Sequence, residues 1–186
     1  MGSLILSFYR VTIFGVATAF LVVLPAKAAQ NTSVEAAVKA TYLTKFPSYL
    51  DWPPGQLSTG EPVILCVIGA DPFGTTLDQA ASGGTSGGRP LIVRRYASAS
   101  DVQKCHIAYL GGPVRNVTAA IASARASPVV TVTDSRNANA VGMIHFQLVG
   151  NSVKFDIDAY KASLAGVGIS SKLLGLARKV RRATSR

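Results

Sequence analysis

The sequence has few of the residues and motifs that catalysis usually needs. It contains two cysteines and two histidines in 186 residues. None of them has the spacing of a metal site. The chain also lacks the GxSxG, GxGxxG and GxxxxGK[ST] motifs of acyl transfer, dinucleotide binding and phosphoryl transfer. These absences favour a non-enzymatic protein that acts by binding, and they imply no cofactor.

Two catalytic alternatives stay open. Cys105 and His106 are adjacent in a predicted strand, so their side chains should point to opposite faces. A cysteine nucleophile would therefore need His145 as its base. Asp156 and Asp158 have the i, i+2 spacing of one strand face and could serve acid–base chemistry. A solvated strand face is the simpler interpretation of that pair.

Acidic residues are scarce, with 9 against 19 basic ones. The excess lies at the ends of the chain, because six lysines and arginines fall in the last 15 residues and only 11 lie between 29 and 171. A basic tail is not the continuous basic groove that tracks a phosphate backbone. The composition therefore argues against nucleic acid as a partner.

Long apolar runs are missing, except for one at residues 11–24. It is short for a membrane span, which needs about 20 residues. Arg10 precedes the run, and Ala26-Lys27-Ala28 follows it. The pattern predicts a signal peptide over residues 1–28 and export to the periplasm. The alternative is an uncleaved anchor that ends near Leu24.

Residues 29–186 are enough for one domain with a hydrophobic core. In an oxidising compartment, the even count of cysteines predicts a disulfide between Cys66 and Cys105. Two buried thiols on neighbouring strands are the alternative.

The remaining pattern predicts a single compact three-layer α/β domain with a mixed, largely parallel sheet. Glycine-rich residues 82–88 read as a flexible loop, and Asp71-Pro72 as a helix start. A hairpin near residues 143–157 should have one face on the core and one in solvent. From Ser170 onward we expect a basic amphipathic helix docked on the sheet, or binding anionic lipid or an acidic partner. We predict helices over about 33–46, 72–81 and 114–124, and strands over 62–69, 91–94, 105–110 and 129–133. Pro47 should end or kink the first helix.

Taken in order, seven segments resemble the YfiR family of periplasmic regulators. They are VKATYLTKF (38–46) running to DWP (51–53), LCVIG (65–69) with DPFG (71–74), GRPL (88–91), CHI (105–107), VVTVTD (129–134), GMIHF (142–146) and ISSKLL (169–174). Each segment alone is common, but their order and spacing together are specific.

The resemblance implies a compact α/β fold and a non-enzymatic inhibitor. It implies binding to the periplasmic sensor region of an inner-membrane diguanylate cyclase, which lowers cyclic di-GMP and restrains biofilm formation. It also implies an OmpA-like outer-membrane lipoprotein that sequesters the inhibitor, and a homodimer. Cys66 and Cys105 match a cysteine pair linked to redox sensing in that family.

Apolar residues that stay exposed should mark the partner surface. Our candidates are Tyr49, Trp52, Leu57 and Leu174, together with the basic residue Arg178. A competing hypothesis is a small-molecule-binding module, with a pocket at the carboxyl ends of the parallel strands.

Overall fold

The computed structural model describes residues 26–82, 85–125, 127–137 and 139–183. Most of the predicted signal peptide, residues 1–25, therefore lies outside the described residues. Among the described residues, no helix is both long and apolar enough to cross a membrane. The helices are α1 (Ala26–Lys45), α2 (Thr75–Ser82), α3 (Val114–Ala124), α4 (Ala159–Leu164) and α5 (Ser171–Leu176), with 3-10 turns at Phe46–Tyr49, Ala99–Lys104 and Ser135–Asn137. The strands are β1 (Leu50–Asp51), β2 (Val63–Gly69), β3 (Thr85–Ser86), β4 (Arg89–Tyr96), β5 (Ile107–Gly111), β6 (Val130–Asp134), β7 (Ile144–Val149), β8 (Ser152–Asp158), β9 (Gly168–Ile169) and β10 (Lys179–Arg181).

Eight of these strands form one sheet in the order β10-β8-β7-β6-β5-β2-β4-β3. All neighbours are parallel except the β7–β8 and β3–β4 pairs. Strand β2 lies between β4 and β5, and Leu65 is in register with Val93 on one side and Ile107 on the other. The predicted mixed, largely parallel α/β sheet is thus confirmed.

The sheet carries a separate hydrophobic cluster on each face, because side chains alternate along a buried strand. Leu65 and Val67 pack with α1 and α2. Cys66 and Ile68 pack with α3 and the 99–104 turn. Helices therefore cover both faces, as the continuous apolar run of β2 predicts.

The predicted disulfide is present: Cys66 and Cys105 are bonded. Cys105 directly follows the 99–104 turn, so its bond to Cys66 holds this turn beside the middle of β2. The bond therefore joins an interior strand to the connection between β4 and β5.

The first helix is longer than predicted. It begins at Ala26 and includes the predicted cap residue Thr32 within its length. The alanine-rich residues before Thr32 are strong helix formers, and no breaker separates them from the helix. Pro47 does end the α-helix, since a 3-10 turn containing it follows Lys45.

The predicted flexible loop at 82–88 contains a short strand and a hairpin turn. Thr85 pairs with Pro90 and Ser86 with Arg89 in a short hairpin. Gly87 and Gly88 form its turn with φ of 62° and 79°. Positive φ at both central positions favours glycine in a two-residue hairpin.

The hairpin near 143–157 is confirmed, with Ile144 opposite Ile157 and Leu148 opposite Val153. Its predicted division into core and solvent faces is wrong at two places. His145 is buried and Leu148 is exposed. His145 lies 2.7 Å from the Thr133 hydroxyl, so burial leaves its Nδ1 atom hydrogen-bonded.

The C-terminal amphipathic helix is confirmed only over its first six residues. Ser170 caps α5 as predicted, accepting from the Leu173 amide. The chain then turns extended at Ala177 and forms β10 beside β8. The ion pairs of Arg178 with Asp156 and of Arg181 with Asp158 accompany this pairing.

The same pairing corrects the interpretation of the two aspartates as a solvated face. The side chain of Asp158 is mostly buried, and its Oδ1 accepts from the Lys161 amide at the start of α4. Asp156 is held by Arg178, just before β10, and Asp158 by Arg181 in β10. Sequence periodicity assigned this segment to a helix.

Candidate functional site

The disulfide removes the thiol that the sequence left as a possible nucleophile. Both cysteines are bonded to each other. In the described residues, no group of three histidine, cysteine or acidic side chains could hold a metal ion. His145 takes part in a hydrogen bond with Thr133, whose hydroxyl also accepts from the Gly142 amide. The Thr133 hydroxyl can therefore donate to His145 Nδ1 while it accepts from Gly142.

His106 holds the N-terminal end of the sheet together. Its Nδ1 accepts from the Ile64 amide at 2.9 Å, and its Nε2 lies 3.3 Å from the Gln56 carbonyl oxygen. The ring also meets Trp52 edge to face, with 5.9 Å between centroids. Burial lowers the pKa of the His106 imidazole, so the neutral ring with its proton on Nε2 fits these contacts.

The five predicted surface residues do not form one patch. Trp52 and Leu57 line a cavity of about 300 Å³ beside β1. Tyr49 and Leu174 lie together near the β1–β9 pair, where the Tyr49 carbonyl accepts from the Ser170 amide and α5 packs on the 46–49 turn. Arg178 pairs with Asp156, on the sheet face opposite the cluster that contains Leu174. Four of the five thus lie around β1, and Arg178 is apart.

Trp52 is half-buried and packs against the main core. Its indole Nε1 is buried and has no hydrogen-bond partner in the described part of the chain. A buried donor without an acceptor costs about 1–3 kcal/mol.

A second cavity lies at the carboxyl ends of β2, β5 and β6, where the competing hypothesis placed a ligand pocket. Its volume is about 310 Å³, and its walls include Ala70, Gly112 and Arg136. From β2 the chain crosses to β4 on one side and later returns to β5 on the other. Such a switch point is where open α/β sheets bind ligands. Asp71 beside it caps the turn before α2, accepting from the Phe73 and Gly74 amides, although α2 itself begins later than predicted.

Asp134 forms the floor of this cavity and is fully buried. Its Oδ2 accepts from the Tyr109 hydroxyl at 2.6 Å and lies 3.1 Å from Lys39 Nζ. Arg136 closes the group, with its Nη2 atom 3.0 Å from the same oxygen. Burial alone would raise the pKa of the Asp134 carboxyl, but the Tyr109 hydrogen bond and the two cations outweigh it and hold this pKa low. Burial and the nearby carboxylate also raise the pKa of Tyr109.

A groove that the sequence did not predict lies between α1 and the β7–β8 hairpin. Its volume is about 680 Å³, and Val34, Val38, Tyr42 and Leu148 line it. Val34 is 63% exposed and Leu148 49%. Periodicity placed the first three on the buried side of α1, and strand alternation placed Leu148 on the core. The apolar pattern that marks this groove is thus visible in the sequence, but its periodicity assigned these residues to the core.

Comparison with known proteins agrees with this architecture. Among solved structures, the chain is similar to a conserved domain protein from Vibrio cholerae O1 biovar El Tor, with 10% identity and a TM-score of 0.50 over 78% of this chain and 60% of that one. It is similar to an ABC domain from Streptococcus pneumoniae, solved in complex with L-Trp, with 9% identity and a TM-score of 0.50 over 78% of this chain and 62% of that one. The chain thus spans about three fifths of these structures, and the likeness concerns the fold. No curated protein matches it.

A family model described as YfiR/HmsC-like matches residues 36–178. The match begins in α1, includes both cysteines and ends just before β10. It therefore covers both helical layers and nearly all of the main sheet. This chain belongs to the YfiR/HmsC-like family.

Proposed function

We propose that this protein is a non-enzymatic periplasmic inhibitor that binds the sensor region of an inner-membrane diguanylate cyclase and lowers cyclic di-GMP. Family membership supports this, and so does the disulfide, which persists in oxidising compartments. The signal peptide at residues 1–28 would direct export and be cleaved from the exported chain.

The observation that carries the proposal is the groove between α1 and the hairpin. Its apolar stripe continues from buried Phe46 through Tyr42 to exposed Val38 and Val34. Leu148 forms the opposite wall. Exposed aliphatic groups arranged around one concavity are typical of protein-binding surfaces.

Inhibition requires the protein to bind the inactive state of the cyclase more tightly than the active state. Only this difference in affinity shifts the equilibrium between the two states. A tenfold preference corresponds to about 1.4 kcal/mol. A second partner that covers the same groove, such as an OmpA-like outer-membrane lipoprotein, would relieve inhibition by competition.

We propose Tyr49, Trp52, Leu57 and Leu174 as a second contact surface, for a second copy of the chain. Their half-buried side chains lie near the β1–β9 pair. Arg178 belongs to neither surface as long as Asp156 holds it, so its contact with a partner would require exchange of that ion pair.

The test uses two adjacent residues of β7. Leu148 and Val149 are each 49% exposed, but they point to opposite sheet faces and only Leu148 lines the groove. Leu148→Lys should abolish capture of the purified cyclase sensor region and raise cellular cyclic di-GMP to the level of a deletion strain. Val149→Lys should do neither. Equal behaviour of the two variants would reject the groove as the binding surface, and a deletion strain with unchanged cyclic di-GMP would reject the function.

A second candidate function is small-molecule binding at the switch-point cavity, which its position favours. Thermal unfolding in the presence of amino acids and vitamins would detect a ligand. Ala70 is exposed at the rim, so Ala70→Phe should abolish a genuine stabilisation without disturbing the core. Indifference to every compound would leave the cavity without support as a binding site.

A further inference from the structure

A third cavity lies between the last turns of α3 and helix α4, away from both surfaces discussed above. Its volume is about 420 Å³, within the range of small-molecule sites. Ile121 and Ala124 of α3 and Met143, which precedes β7, supply apolar walls, and Leu164 of α4 lies at the cavity. Leu164 is 68% exposed, so an apolar side chain stands uncovered where a ligand would enter.

Cations outnumber carboxylates around this cavity. Arg125, Lys161 and Arg181 line it. Asp158 pairs with two of them, since its Oδ2 lies 2.9 Å from Arg181 Nη1 and 3.8 Å from Lys161 Nζ. The closer partner of Lys161 Nζ is the Val141 carbonyl oxygen, at 2.7 Å. Arg125 is exposed and makes no ion pair within the described residues.

Tyr160 extends the apolar wall toward these cations, since the Arg181 guanidinium lies 5.6 Å from its ring centre. The cavity thus combines an aliphatic and aromatic lining with an excess of two positive charges. A neutral apolar molecule would use the lining and leave the charges unpaired. A hydrophilic anion would pair with the charges and leave the lining exposed to water.

We propose that this cavity is a binding site for a small amphipathic anion, a carboxylate or sulfonate on an alkyl or aromatic body. The anionic group lies among Arg125, Lys161 and Arg181, and the body covers Met143 and Leu164. This inference goes beyond the proposed inhibition and does not depend on it, because none of the groove residues takes part.

Met143 offers a direct readout, because the sequence contains only one other methionine, Met1, at the N-terminus. With methyl-labelled methionine in residues 29–186, the Met143 methyl resonance reports the cavity alone. We expect octanoate to shift the Met143 methyl resonance in a saturable manner. Octan-1-ol and octylammonium should bind at least about tenfold more weakly than octanoate.

Two exposed leucines provide a matched pair of variants. Leu164→Asp places a carboxylate at the cavity, where it competes for the cations and repels octanoate. Leu176, 65% exposed, does not line the cavity, so Leu176→Asp is the control. Arg125→Gln should also weaken the binding of octanoate about tenfold. The proposal is overturned if octanoate and octan-1-ol bind alike, if the Met143 methyl does not respond, or if Leu164→Asp binds as the parent does.

Discussion

Lys39 Nζ lies 3.1 Å from Asp134 Oδ2, and the two side chains are 1% and 0% exposed. The pair joins the middle of α1 to the carboxyl end of β6. Glu35 also contacts Lys39 from one turn earlier in α1. The same Asp134 oxygen accepts from Tyr109, so one buried carboxylate ties a helix to two strands.

Replacing Lys39 by methionine should destabilise the protein strongly. The substitution keeps the length of the side chain but leaves Asp134 with less compensation for its burial. Breaking one partner of a buried pair costs about 3–5 kcal/mol, and we expect the lower end because Arg136 remains. The measurement is the free energy of urea unfolding. Lys45→Met, at an exposed position of the same helix, should change it by less than about 0.5 kcal/mol, and equal stability of the two variants would contradict this role of Lys39.

The sheet and most of its helices were predictable because local signals agreed with the final packing. The apolar run of β2 marked a strand covered on both faces, and α3 has the predicted bounds, 114–124. The C-terminal segment was not predictable in the same way. Its leucines repeat at helical spacing, yet pairing with β8 and the ion pairs of Arg178 and Arg181 accompany a strand there.

The candidate sites divide along the same line. The switch-point cavity follows from the alternation of strands and helices, so its location was predictable without any side-chain geometry. The α1–hairpin groove was missed, because periodicity shows which residues share a face and not where the core ends. Val34 and Leu148 lie beyond that end. The cavity lined by Arg125, Lys161 and Arg181 lies between α3, α4 and β10, and no sequence pattern links these elements.

Reduction of the disulfide should lower the free energy of unfolding. The bond joins residues 39 positions apart, which corresponds to at most about 4 kcal/mol of chain entropy. Urea unfolding with and without dithiothreitol measures the loss. The double variant Cys66→Ala/Cys105→Ala should show no effect of dithiothreitol. If the parent protein is also insensitive, or if periplasmic preparations carry two reactive thiols, the bond does not contribute as we expect.

Gly111 should not tolerate a side chain. A Cβ there would overlap the Ala70 carbonyl oxygen, where the ends of β2 and β5 approach at the switch point. Gly111→Ala should therefore cost about 1–3 kcal/mol through overpacking. Gly175 in α5 has open space around its Cβ position, and Gly175→Ala should stabilise by up to about 1 kcal/mol. Opposite signs in thermal unfolding would confirm the contrast, whereas two stabilising substitutions would show that the strand ends can separate freely.

The two histidines should make the protein less stable as the pH falls below about 6.5, their pKa in the unfolded chain. Burial lowers the pKa of both His106 and His145 in the folded state. Between the folded and the unfolded pKa the unfolded chain binds more protons, so the free energy of unfolding decreases toward acid. For His106 the structural reason is that a proton on Nδ1 would remove the acceptor of the Ile64 amide.

His106→Asn isolates this effect, because the asparagine oxygen can accept from the same amide but does not titrate. We expect the urea midpoint of the parent to fall between about pH 7.5 and about pH 5, and that of the variant to fall less. His145→Asn should remove a further part of the slope, since Thr133 can still donate to the new side chain. Above pH 7.5 the urea midpoint of each variant should vary with pH no more than that of the parent does. If the slope of His106→Asn between these pH values matches that of the parent, the His106 imidazole keeps an ordinary pKa in the folded state and its hydrogen bond with Ile64 is not maintained in solution.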